Sequence, residues 1–479
     1  MEGLEISEVN FLKIDLGDRF DSEFFEKEDL RVEHVLRLKN SVELRQFGNF
    51  IASAFYPAAT HLYEIGDTPF IRCVDCVKFP LITKEQDKTF EKIPLEFVQN
   101  QSGVNTLNRN DIVITKVGTP SYPSIVYEHE MVALSRTVMG LKNIRDINKF
   151  YLLIFLRSKY GFSQLQRHRE LTIQYQLTLE RTKRTLVFVP TDIFQSKIEG
   201  IVHKYIEGIN NAKSLYAKAE NVLLETLNLK DFQPSKEPVN VKNFSESFGS
   251  SGRLDAEYYQ LKYEQVVNRI KSTDYDQLVN IVKIKKSIEP GSSVYADEGL
   301  PFVRVSDYNK FGLSTPDKYL TDDFCKENAE QIKKLKPKKE TILFSKDGSV
   351  GTAYMLREDA NFITSGAILH LTVKDKNKII PEYLTLALNS KLVQMQAERD
   401  AGGSIILHWR VSEIEKVIVP IIDFDKQREI ADLVEESFQL KKQSEHLLEV
   451  AKTAVEMAIE KDEQTAIEYI ENEIEIKIN

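Results

Sequence analysis

The sequence predicts a mixed α/β (α+β) protein with a pseudo-twofold internal repeat. Two tandem globular domains are separated by two long antiparallel, coiled-coil-like helices. Three observations predict this. Two amphipathic stretches of helical period, beginning near Thr191 and Asp423, lie about half the chain apart. The phrases before each stretch recur in the same order. Between the copies, residues 231–252 (DFQPSKEPVNVKNFSESFGSSG) have the Pro, Gly and Ser content of a linker.

The elements follow in chain order. Residues 1–190 form the first globule, which opens with Arg19-Phe-Asp-Ser-Glu-Phe-Phe25; Arg253-Leu-Asp-Ala-Glu-Tyr-Tyr259 repeats its spacing. Pro69-Phe-Ile-Arg-Cys-Val-Asp75 matches Pro301-Phe-Val-Arg-Val-Ser-Asp307, and both read as short strands. Asp111-Ile-Val-Ile-Thr-Lys-Val-Gly118 matches Thr341-Ile-Leu-Phe-Ser-Lys-Asp-Gly348, a buried strand running into a tight loop. Ala133–Met139 and Ala367–Val373 read as the next strand, and Phe150–Leu156 and Tyr383–Leu388 as the following helix.

The first spacer helix is placed at 191–230. Its stripe runs through Phe194, Ile198, Ile201, Val202, Tyr205, Ile209, Ala212, Leu215, Ala219, Val222 and Leu223. After the linker, residues 253–422 form the second globule and 423–465 the second spacer helix. That stripe includes Ile430, Leu433, Val434, Phe438, Leu447 and Leu448, and is weaker around Lys441 to Ser444. Val189-Pro190 and Val419-Pro420 read as equivalent entries, with Asp192 and Asp423 or Asp425 as N-caps. Each helix would span roughly 50–57 Å, so each needs a partner for its stripe, and the two copies are expected to pack together. Residues 466–479 form an acidic tail, expected to be a solvated face.

The 479 residues, 42% hydrophobic and 29% charged, leave room for two or three domains with real cores. No apolar run reaches transmembrane length, so no membrane partner is expected. Three cysteines and an acidic N-terminus without a signal pattern predict a cytoplasmic protein. The net charge of −9 excludes a generic polycation, so a nucleic-acid surface would have to be local.

The order globule, long helix, globule, long helix resembles the specificity subunit of type I restriction–modification systems. Pro301-Phe-Val-Arg-Val-Ser-Asp307, Ile342-Leu-Phe-Ser-Lys-Asp-Gly-Ser-Val-Gly351 and Gly402-Gly-Ser404 carry the resemblance. So does Ile418-Val-Pro-Ile-Ile-Asp-Phe-Asp-Lys-Gln-Arg-Glu-Ile430, with Gln427 entering the helix. The first half is more degenerate: it lacks a counterpart of Gly402-Gly403, and Gln195-Ser-Lys197 replaces Gln-Arg-Glu. The resemblance implies two target-recognition domains, each reading half of a bipartite, non-palindromic site on double-stranded DNA, with the helices as a ruler. It implies a non-catalytic subunit for phage defence that recruits two adenine methyltransferase subunits and restriction (motor–nuclease) subunits. No cofactor is expected in this chain; S-adenosylmethionine, ATP and Mg belong to the partners. Recognition for a type II or other phage-defence methyltransferase is the alternative, and a stand-alone nuclease or methyltransferase a further one.

Local charge points to DNA contacts in two runs. One holds Arg157, Lys159, Arg167, Arg169, Arg181, Lys183 and Arg184; the other holds Lys333, Lys334, Lys336, Lys338, Lys339 and Lys346. The candidate contact loops are Thr115-Lys116-Val-Gly118 and Ser345-Lys346-Asp-Gly348, where glycine allows close backbone approach. Arg167-His-Arg169 and His408-Trp-Arg410 set a ring beside cations, although a lone Trp is more commonly a core residue. Candidate partner-binding helix residues are Ile198, Ile201, Tyr205, Ile430, Leu433 and Phe438.

Catalytic signatures are absent from the sequence. There is no Asn-Pro-Pro-Tyr or Asp-Pro-Pro-Tyr, and Gly348-Ser-Val-Gly-Thr352 lacks the Gly-Lys-Ser/Thr of a P-loop. Pro316-Asp317 reads as a turn. Cys73-Val-Asp-Cys76 has half a zinc site's spacing without a second pair, and alternating strand positions explain it better than metal.

Overall fold

Ile112–Thr115 and Ile342–Ser345 are apolar at successive positions, the pattern of a strand covered on both faces. In the computed structural model both are central strands, buried at every residue. The structure describes residues 6–9, 21–54, 57–171, 175–230, 232–237, 239–403 and 405–475. Arg19, Phe20 and Ser404 lie outside them. The chain divides into two units, residues 1–208 with 443–479, and residues 209–442.

In the first unit a five-stranded sheet has the order Asn49–Ala52, Val138–Lys142, Ile112–Thr115, Pro123–Val126, Leu81–Ile82. A four-stranded sheet orders Glu91–Ile93, Thr68–Ile71, Met131–Leu134, Thr106–Asn108. The second unit repeats the plan. One sheet orders Val282–Lys286, Ile368–Val373, Ile342–Ser345, Ala353–Met355; the other orders Tyr295–Ala296, Tyr319–Leu320, Leu300–Val303, Ile363–Thr364. The signature pairing of the smaller sheet is parallel in both, Phe70 beside Ala133 and Phe302 beside Ile363.

Two strand expectations are corrected. Ala133–Met139 is not one strand: Met131–Leu134 and Val138–Lys142 belong to different sheets, with the Ser135 and Thr137 hydroxyls bonded at the corner (2.6 Å). The Pro69 and Pro301 phrases are strands only as far as Ile71 and Val303. At Arg72 and Arg304 the backbone N–H donates to Asp75 and Asp307 (2.8 Å each), which turns the chain into a helical turn. Cys73 and Cys76 therefore sit on a helix, Cys73–Lys78, and not at alternating strand positions.

The predicted short helices are Lys149–Arg157 and Pro381–Asn389. Each is fixed to the strand before the long helix by a buried tyrosine: Tyr151 donates to Phe188 O (2.7 Å), Tyr383 to Pro420 O (2.8 Å). Each is followed by a buried glutamine that clamps the same strand. Gln164 bonds both ends of the Leu186 peptide, and Gln396 both ends of that of Ile418.

The long helices run Asp192–Thr226 and Phe424–Glu460. The first is capped by Thr191, not Asp192: the Phe194 N–H meets the Thr191 hydroxyl at 3.4 Å. Asp423 serves the second, accepting from Asp425 N (2.9 Å). Their packing is antiparallel. In the first unit Phe194, Ile198, Ile201, Val202 and Ile206 share a core with Val450, Ala451, Ala454, Val455 and Ala458. In the second, Tyr216, Ala219, Leu223 and Leu227 share one with Ile430, Leu433 and Val434. There Ser437 donates to Ala212 O (2.6 Å), while Lys426 acts on Glu225 further along.

The C-terminal stretch corrects a further expectation. Glu463–Glu475 is a separate helix that buries Ala466 and Ile470 in the first unit's core and anchors Lys197 through Glu471 (2.7 Å). It is acidic outside and apolar inside, because Ala466 and Ile470 fall four residues apart on one face.

Candidate nucleic-acid interface

The contact loops are built from the central strand outward. Thr115 and Ser345 are fully buried, and their hydroxyls close the loop: Thr115 Oγ1 accepts from Tyr122 N (2.8 Å), Ser345 Oγ from Thr352 N (2.9 Å). Lys116 and Lys346 begin the loop, held by the same two backbone bonds. Lys116 N donates to Thr137 O (2.8 Å) and Lys346 N to Ala367 O (2.9 Å). Leu177 N donates to Lys116 O (2.8 Å) and Trp409 N to Lys346 O (2.7 Å). Gly118 and Gly348 both have left-handed φ, +92° and +72°, which a side chain would resist.

Those bonds identify a second loop beside each first one. In the first unit it is the hairpin Arg169–Leu171 with Tyr175–Leu177; in the second it is the turn from Gly402 to His408. A counterpart of the Gly402-Gly403 region thus exists in the first half. It shares no sequence with it because only backbone bonds define the position.

The side chains on the two frames differ. Lys116 is half-buried, and burial lowers its amine from the usual lysine range. Lys346 pairs with Asp347, whose other oxygen lies 2.9 Å from His408 Nδ1. His408 and Arg410 are exposed, whereas Trp409 is core, packed 5.7 Å from Phe344.

Arg167 and His168 are turned inward. The Arg167 side chain, 7% exposed, pairs with Glu33, donates to Phe24 O (2.7 Å) and stacks 4.1 Å over the Phe24 ring. Burial, then Arg167 and Arg181, push the His168 imidazole down to about 3, so it is a neutral core ring and not a stacking platform. Arg169 lies 4.4 Å over Tyr175 and 3.7 Å from Glu23.

The two basic runs differ likewise. In the first, Arg157 is buried against Pro123 O, Lys159 pairs with Glu28, Arg181 with Glu170 and Lys183 with Glu180. In the second, Lys333, Lys334, Lys338 and Lys339 are exposed. Asp317, read as a turn residue, pairs with Arg304. No group of His, Cys, Asp or Glu suited to a metal occurs among the described residues.

The six candidate partner residues face inward. Ile198, Ile201, Ile430 and Leu433 are buried in the helix-pair cores, and Tyr205 and Phe438 are partly buried against them. Most of the stripe packs within the chain's own helix pair.

The comparisons with known proteins bear on this frame. Residues 274–450 match the family described as type I restriction modification DNA specificity domain. The specificity subunit of the type I restriction enzyme EcoBI of Escherichia coli is 25% identical over 178 residues, 36% of this chain. The match spans about a third, 34%, of that relative's length. Among solved structures, the type I restriction–modification S subunit from M. genitalium has 13% identity and a TM-score of 0.38, covering 86% of this chain and 94% of that one. The HsdS subunit from Thermoanaerobacter tengcongensis has 15% identity and a TM-score of 0.29, covering 88% and 96%. The matched stretch, residues 274–450, is similar to that DNA specificity domain and holds the Pro301, Ile342 and Ile418 phrases.

Proposed function

We propose that the chain is the DNA sequence-recognition subunit of a type I restriction–modification assembly, non-catalytic and cytoplasmic. It binds a bipartite, non-palindromic site on double-stranded DNA. One observation carries this reading: the same pair of loops is held by the same backbone bonds in both units, but with different side chains. A repeated frame with unlike faces suits two half-sites of different sequence. The regions 1–190 and 253–422 would each read one half, and the long helices would set their spacing. Base edges in the major groove differ enough for a few side chains per loop to discriminate, at about 1–3 kcal/mol per base pair.

Lys346, His408, Arg410 and the exposed lysines of 333–339 are the proposed contacts in the second unit, with Lys116, Gly118 and Arg169 in the first. Arg167 is given a structural role. Two methyltransferase subunits and the restriction subunits would dock on the outward faces of the long helices and bring S-adenosylmethionine, ATP and Mg. No helix among the described residues is long and apolar enough to cross a membrane.

The test is a methylome. The chain is co-expressed with the methyltransferase encoded beside it, and modified adenines are mapped with and without it. A split motif that depends on the chain is the expected result. Methylation without the chain, or cleavage by the purified chain alone, would overturn the reading.

A further inference from the structure

The turn between Gly402 and His408 carries a feature that its counterpart in the first unit does not explain. Ile405, Ile406 and Leu407 are consecutive and 95%, 54% and 41% exposed. Three aliphatic side chains in water are an unfavourable arrangement that a solvent-facing loop has no reason to keep. The turn is also firmly built. Gly402 N donates to His408 O (3.1 Å) and His408 N to Gly402 O (2.7 Å), closing its neck. Gly348 N donates to Leu407 O (2.9 Å), tying the turn beside its neck to the first loop. Gly403 has φ +142°, and a Cβ there would stand 2.0 Å from Ile406 O, so only glycine permits this path. Beneath the neck lies the buried Trp409. Around it stand Lys346, the exposed His408 and the exposed Arg410, with Asp347 bridging the first two.

An apolar knuckle with Lys346 and Arg410 beside it matches one surface well: a duplex, in which apolar base faces are flanked by phosphates. We infer that Ile405, Ile406 and Leu407 form a wedge that inserts at one base step of the half-site read by the second unit, unstacking it while Lys346 and Arg410 hold the adjoining phosphates. Aliphatic wedges of this kind unstack and kink DNA, so that sequence is selected by how easily a step opens. The wedge gives the second unit a reading by deformation that the first unit's described hairpin residues, Arg169–Leu171 and Tyr175–Leu177, do not duplicate. The inference rests on the DNA-recognition reading above.

The experiment uses the full chain assembled with its methyltransferase and the target found by the methylome. Duplexes carry 2-aminopurine stepped through each half-site, and fluorescence reports unstacking. The wild-type assembly raises the fluorescence at one step of one half-site in addition to the target adenines that the methyltransferase itself flips out. The variant Ile405→Ser/Ile406→Ser/Leu407→Ser abolishes that rise and weakens binding by about tenfold, while the aliphatic swap Ile405→Leu/Ile406→Leu/Leu407→Ile keeps both. Thermal unfolding of each variant confirms an unchanged fold. A wild-type assembly that binds with no step unstacked beyond those adenines overturns the wedge alone, as does a serine variant that keeps the extra signal. A serine variant that loses the methyltransferase but still unstacks DNA also overturns it, and makes the knuckle a protein contact. A wild-type assembly that binds no duplex overturns the DNA reading itself.

Discussion

Three arginines of the first unit's basic run turn inward, whereas four lysines of the second unit's run are exposed. Arg157, Arg167 and Arg181 of the first are spent on Pro123, Glu33 and Glu170. Lys333, Lys334 and Lys339 of the second are exposed, on a helix and turn that the first unit does not match in sequence. Yet the skeletons agree closely. The Tyr151 and Tyr383 bonds, the Gln164 and Gln396 clamps, and the Gln195 and Gln427 bonds all recur 232 residues apart. The comparison teaches that what is repeated is the buried polar framework, where a lost bond is costly, and what diverges is the exposed chemistry, where selection acts on a ligand.

The largest effect should come from breaking the element both units share. Ile198→Asp and Ile430→Asp each bury a charge in a helix-pair core and should cost more than about 4 kcal/mol. Calorimetry should show loss of the cooperative transition in both variants; a change in only one would mean the two cores are not equivalent.

Gln195 and Gln427 sharpen the comparison at a polar site. Gln195 accepts from Asn148 N (2.8 Å) and donates to Pro190 O (3.0 Å); Gln427 accepts from Ile380 N (3.0 Å) and donates to Ile422 O (2.9 Å). Replacing either by Ala orphans buried backbone groups and should cost about 2–3 kcal/mol, equally in both units by denaturant unfolding.

The buried histidines predict a shared pH response. Burial lowers His168 to about 3 and His370 to about 4, against 6.5 when free. Both are neutral when folded, so the unfolded chain takes up more protons as pH falls below 6.5. Stability is complete above about 6.5 and is lost as pH falls towards 4, by on the order of 2 kcal/mol for each ring. Melting curves of His168→Phe and His370→Asn between pH 7 and about 4 should each show a flatter dependence than wild type.

The smallest effect separates structural from ligand-facing cations. Lys333→Gln, at an exposed lysine, should leave unfolding unchanged and reduce the salt slope of DNA binding by about 1. Arg167→Gln should leave that slope unchanged and lower the melting temperature, because Glu33 loses its buried partner. Equal salt-slope losses in both would refute the inward and outward assignment.

Much of the plan was legible because it rests on periodicity. The stripes of the long helices, the apolar strands ending at Thr115 and Ser345, and the two short helices appear as patterns of hydrophobicity, and each is in the structure. The entries to the long helices do not correspond proline to proline. Val189-Pro190 looks like Val419-Pro420, but Phe188 is the counterpart of Pro420 and Pro190 that of Ile422, as the tyrosine and glutamine bonds show. Matching prolines misled, because the position is defined by the carbonyls that accept those bonds and any residue supplies a carbonyl. The same blindness hid the hairpin Arg169–Leu171 with Tyr175–Leu177 as the counterpart of the Gly402 turn.

The sequence by itself determined the duplication, the two long amphipathic helices, the buried strands that end in Lys-x-Gly loops and the resemblance to specificity subunits. Local periodicity and composition suffice for these, since a stripe at helical spacing must be buried somewhere. Tertiary structure alone decided where the stripes went, which cations were free to face a ligand and which loops stand together. Those outcomes depend on which partner each side chain meets across the fold. Arg167 and Lys346 are alike as written; Glu33 and Phe24 bury the one, and the loop geometry at Gly348 leaves the other beside an exposed apolar turn.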